Sequence, residues 1–178
     1  MSQYFAAAVT RTADGWTAME VELEPVEDLD GLADVLRDFA TDRAGDMNRP
    51  TVLFVEEDDE YLAVVRVDGE ADPRVFLSDG RAVGHSDIAT LLHEGIAAAA
   101  LELDEEEEEE QDAEDDEDVG TRPEAEPVGD GELLADLGTP SPELFALCAE
   151  EGMLPADVIT SLCERAGFLD VVDEVREG

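Results

Sequence analysis

The sequence predicts an α+β fold: an antiparallel five-stranded sheet in the order ββαβββα with helices on one face, then an acidic disordered linker and a small C-terminal all-α module. Three observations carry this expectation. Short segments before Asp79 are strand-like, either alternating or continuously apolar, and are punctuated by Asp-Gly and Asp-Pro pairs. Longer segments repeat their apolar residues at the helical period. From Asp104 to Asp118, thirteen of fifteen residues are Asp or Glu and none is basic. Like charge at that density repels itself and buries too little apolar surface to offset the entropy of ordering. The expected division is residues 1–103 for the α+β domain, 104–131 for the linker and 132–178 for the helical module.

Each element has a local reason. Gln3–Thr10 is a short apolar segment, Asp14-Gly15 marks a turn, and Trp16–Leu23 alternates, so the pair reads as a hairpin. In that alternation Thr17, Met19, Val21 and Leu23 face the core, with Trp16 covering the strand's start. Beyond Pro25, the spacing of Leu29, Leu32, Ala33, Leu36, Phe39 and Ala40 puts all six on one helical face, and Asp28 is placed to cap the helix. Thr51–Val55 is a continuous apolar run, which suits a central strand. Tyr61–Val67 and Arg74–Leu77 follow after connections of about five residues, the pattern of an antiparallel meander. Ser86 or Asp87 caps a helix from about Ile88 to Leu103, weakened at Gly95 by roughly 1 kcal/mol relative to Ala.

Past the acidic run, Pro123, Pro127 and the glycines to Gly131 continue the linker. Glu132–Leu137 reads as a turn or two of helix stopped by Gly138. Ser141-Pro142-Glu143 starts a helix, with Pro in its first turn and an acid facing the dipole. Pro155 opens the next helix, Gly167-Phe168 ends it in a Schellman stop, and Val171, Val172 and Val175 form a last short helix. A module of this size is marginal alone and is expected to dock on a partner surface.

The net charge of −40 divides into −16 over residues 1–103, −14 over 104–128 and −10 over 129–178, so acidity is global. Every basic side chain is Arg; there is no Lys. Direct nucleic-acid binding is disfavoured because such affinity comes from Lys and Arg displacing counterions. Anionic membranes are disfavoured for the same reason. Salt adaptation or codon bias would also produce this composition. No basic n-region opens the chain and no apolar run approaches the roughly 20 residues of a membrane span, so a cytoplasmic protein is expected. Cys148 and Cys163 read as small buried hydrophobes rather than a disulfide.

Catalytic chemistry has few candidates. Glu56–Glu60 are consecutive acids without the alternation and Gly of a calcium loop, and read as a solvated hairpin turn. His85 and His93 lack the spacing of a zinc pair, and Ser86 and Asp87 beside His85 are neighbours rather than a triad. Gly80 and Gly84 precede a helix without phosphate-loop spacing. Arg37, Arg66 and Arg74 are expected to pair with acids. No catalytic, cofactor-binding or metal-binding residue is therefore assigned, and no cofactor.

The block from Thr51 to Asp79, the opening Tyr4-Phe5-Ala6 with Trp16, and the tail Leu133-Leu134-Ala135-Asp136-Leu137-Gly138 together resemble the bacterial tRNA adenosine deaminase-associated proteins. The resemblance implies association with a tRNA adenosine deaminase and supplies no catalytic residue. This chain lacks the deaminase signature itself. His85-Ser86-Asp87 has no Glu where a His-x-Glu motif needs it, and the two Cys do not form a Pro-Cys-x-x-Cys pair. The expected function is a non-enzymatic accessory that binds a tRNA adenosine deaminase or another basic protein. The alternatives are an acidic nucleic-acid mimic of a basic protein's ligand and an unrecognised enzyme using His85 or Arg side chains.

Overall fold

The computed structural model describes residues 3–46, 48–106, 127–150 and 152–177. An antiparallel sheet runs in the order β2-β1-β3-β4-β5-β6, with β1 Tyr4–Thr12, β2 Gly15–Glu20, β3 Thr51–Glu57, β4 Tyr61–Val67, β5 Arg74–Leu77 and β6 Val128–Gly129. Helices α1 Leu29–Ala44 and α2 Asp87–Glu106 follow β2 and β5. Helices α3 Ser141–Ala149, α4 Pro155–Ala166 and α5 Leu169–Glu177 form the tail. The expected antiparallel α+β sheet is present.

Among the described residues the sheet has six strands, not five. Val128–Gly129, read from sequence as linker, pairs with Phe76 and Leu77 at the sheet edge. Two residues are too few to show a period of two. Gly129, at φ 103°, sits where a Cβ would lie 2.2 Å from the Val75 carbonyl oxygen, so only glycine allows the approach. At the other end of the expected linker, α2 runs on to Glu106. Of the disordered linker expected over 104–131, residues 107–126 lie outside the described residues, while 104–106 are helical.

Both helices of the ββαβββα unit lie on one face, as expected, and the tail packs on the other. One face packs Leu53, Val55, Ala63 and Val65 against α1 and α2. The other packs Val52, Phe54, Leu62, Val64 and Phe76 against Leu144 of α3, Val158 and Leu162 of α4 and Val172 of α5. Strands β3 and β4 are apolar on both sides, so leaving the second face in water would expose a large apolar patch. The tail covers it. Met19, Val21 and Leu23 join the first core as expected, whereas Trp16 and Ala18 turn to the second.

Helix α1 carries the buried stripe read from sequence, capped by Asp28, whose Oδ1 accepts from Gly31 N–H at 2.8 Å. The weak point assigned to Gly95 has a packing cause, since a Cβ there would lie 2.3 Å from Leu29 Cδ2, where α1 and α2 meet. In the tail, Phe168 N–H bonds the Cys163 carbonyl at 3.1 Å and Gly167 takes φ 88°, which completes the Schellman stop.

The β3–β4 turn is tight, with Asp58 and Asp59 at φ 50° and 59°. Left-handed backbone at two successive residues is what a hairpin's right-handed twist demands, and Gly meets it with the least strain. Asp59→Gly is therefore expected to stabilise the protein by about 0.5–1 kcal/mol. A thermal melt checks this, and an unchanged or lowered Tm would contradict it.

Candidate functional site

The five acids Glu56–Glu60 do not converge. Strand alternation sends Glu56 to the second face, where Arg176 reaches its Oε2 at 3.3 Å. Asp58 ties the turn to the chain start, its Oδ1 accepting from Gln3 N–H at 2.9 Å. Glu60 lies 3.4 Å from His85 Nε2. Glu57 points into the first core and is only 5 % exposed. Among the described residues no group of His, Cys, Asp and Glu is placed to hold a metal.

Glu57 anchors a buried polar cluster that sequence reasoning missed. Tyr61 Oη donates to Glu57 Oε1 at 2.8 Å, and Ser86 Oγ donates to the same oxygen. The two hydroxyl oxygens lie 3.1 Å apart. Ser86 is also the cap of α2, accepting from Ala89 N–H at 3.0 Å. Burial pushes the Tyr61 phenol pKa well above its ordinary range, so it stays a neutral donor. One carboxylate oxygen thus ties the β3–β4 hairpin to the start of α2. The signal lay in the strand phase, for Glu57 shares a side with Leu53 and Val55.

Beside this cluster a cleft of about 470 Å³ opens between the start of β1, the β2–α1 connection and α2. Leu23, Leu32, Ile88 and Leu92 form its apolar wall, and Glu24, Glu57, His85 and Asp87 its polar side. Tyr4 completes it, fixed by Leu23 N–H donating to its Oη at 2.9 Å. The volume is that of a small-ligand site. His85 therefore stands at a cleft, the arrangement an enzymatic reading needs, but its imidazole faces Glu60 rather than Ser86. His93, on α2, does not line the cleft, whereas His85 precedes that helix.

The arginines divide as expected, with one exception in depth. Arg37 pairs with Asp34 at 3.2 Å, and Arg74 with Asp68 at 3.2 Å and Asp130 at 3.4 Å. Arg66 is buried, and binds the Leu133 carbonyl at 2.8 Å and Asp136 at 2.6 and 3.0 Å, clamping the tail to the sheet. Both cysteines are free thiols beside the second core, and burial pushes each up to about 12. No helix among the described residues is long and apolar enough to cross a membrane.

These features define an acidic α+β protein with a ligand-sized cleft on one sheet face and a helical tail docked on the other. The chain belongs to the Rv3753c-like tRNA adenosine deaminase-associated protein family, whose model matches residues 4–169. No curated protein and no solved structure matches it.

Proposed function

We propose that the protein is a non-enzymatic cytoplasmic accessory that binds a tRNA adenosine deaminase through complementary charge. The observation that carries this reading is the placement of the zinc-competent side chains. His85 and His93 belong to the α2 side of the sheet, while Cys148 and Cys163 belong to the tail side. A zinc deaminase needs His and Cys at one point, with a Glu to move protons. Here a six-stranded sheet separates them. The family name supplies the partner class, and a net charge of −40 suits a basic, RNA-binding enzyme.

Co-purification of the tagged full chain with the deaminase from the same host tests this. Enrichment at low salt that fades as salt screens the charges is expected. No enrichment at low salt would remove direct binding. The cleft at His85 favours a second reading, an unrecognised enzyme. Against it, Ser86 is committed to capping α2 and to Glu57, which leaves that hydroxyl unavailable to the imidazole.

A further inference from the structure

We propose that the cleft beside Glu57 receives an arginine side chain of a protein partner. This rests on the reading above that the partner is a basic protein, and it names the point of contact. Glu57 is 95 % removed from solvent on its exposure of 5 %, yet every hydrogen bond it makes among the described residues falls on Oε1. Its second oxygen keeps its acceptor capacity, and Glu57 lines the cleft. Glu57 stands on the cleft's polar side opposite an apolar wall, and a cation that meets its second oxygen there forms a charge-assisted hydrogen bond weakly screened by water.

The surroundings select the kind of cation. Leu23, Leu32, Ile88 and Leu92 offer an apolar wall suited to an aliphatic stem. Tyr4, held through its hydroxyl, adds an aromatic side chain to the lining, a residue type that suits a planar cation. Glu24 and Asp87 add negative charge, and no Arg among the described residues lines the cleft to compete. Guanidinium is weakly hydrated, planar and able to fork between carboxylates, whereas an ammonium is a strongly hydrated point charge that loses more on entering. At about 470 Å³ the cleft exceeds the needs of a simple ion, and side-chain-sized ligands fit.

The test is an NMR titration of the full-length protein with N-acetyl-arginine N-methylamide, with the citrulline analogue as its neutral isostere. Saturable shifts at the amides of Glu57, Tyr61, Ser86 and Ile88 are expected with arginine and not with citrulline. Glu57→Gln, which keeps the acceptor but removes the charge, should weaken binding by about tenfold or more. Glu70→Gln at an exposed site should leave it unchanged. Leu91→Trp, which fills the cleft from α2 without touching the Glu57 cluster, should abolish the shifts and serves if Glu57→Gln does not fold. Equal binding of citrulline, or unsaturating shifts spread over the surface and indifferent to Leu91→Trp, would overturn the proposal. The two readings fail separately. Arginine binding without deaminase capture keeps the cleft and removes that partner; capture without arginine binding at the cleft overturns the cleft assignment alone.

Discussion

Phe168→Ala is expected to cost about 3–5 kcal/mol, a large share of the 5–15 kcal/mol that holds an ordinary domain folded. Phe168 is 2 % exposed and sits between two rings of the sheet's second face, its centroid 4.8 Å from Trp16 and 5.8 Å from Phe54. It follows the glycine that ends α4, so its backbone is fixed by the Schellman bonds and cannot shift to refill the space. Truncation therefore leaves a cavity and loses two aromatic contacts worth about 0.5–1.5 kcal/mol each beyond area. Trp16 is the chain's single tryptophan and lies against Phe168, so its fluorescence reports the sheet–tail contact, while far-UV circular dichroism weights the helices of both faces. Urea unfolding followed by both probes should give coincident transitions in the parent and in the variant, with the midpoint lowered. Coincidence makes sheet and tail one cooperative unit. A fluorescence transition that precedes the loss of most of the helical signal would show that the tail leaves the sheet as an independent module.

What could be read from sequence followed from local period. Helix α1 has its buried stripe on the predicted residues because a six-position match to the helical period leaves little room for another answer. The meander β3-β4-β5 was legible in its short connections. The second face was signalled too, since Thr51–Val55 and Tyr61–Val67 are apolar without alternation, which is the mark of a strand buried on both sides. What covers that second face was not legible from local period, and the tail helices supply it. The Glu57–Tyr61–Ser86 cluster was not legible as a unit, because twenty-nine positions separate its ends and only tertiary packing joins them. Its parts were misread for a physical reason. Five consecutive acids look like a solvated turn, but a strand that continues to Glu57 sends alternate members to opposite faces. Arg66 follows the same logic, in phase with Leu62 and Val64 and therefore pointed under the tail.

Arg66→Ala should destabilise the chain nearly as much as Phe168→Ala, by about 3 kcal/mol or more, through a different mechanism. The guanidinium is a hub with four described bonds, to Asp68 at 3.0 Å, the Leu133 carbonyl at 2.8 Å and both oxygens of Asp136. Asp136 is mostly exposed, so its ion pair alone is worth only about 0–1 kcal/mol. The larger share comes from the buried Leu133 carbonyl left without its donor and from the space vacated by the stem. Arg66→Met, which refills that space, should recover part of the loss, and Asp136→Asn should cost about 1 kcal/mol or less. The pH dependence separates these contributions. The Arg66 hydrogen bond holds the Asp136 carboxyl below its ordinary pKa, so its contribution is complete above the unfolded value of about 4 and disappears as pH falls through the lower folded value. The stability gap between the parent and Asp136→Asn should therefore close on acidification below about pH 4, and it should be absent at every pH in the Arg66→Ala background. A gap that persists at pH 2, or one that survives without Arg66, would show that Asp136 supports the tail by some route other than this guanidinium.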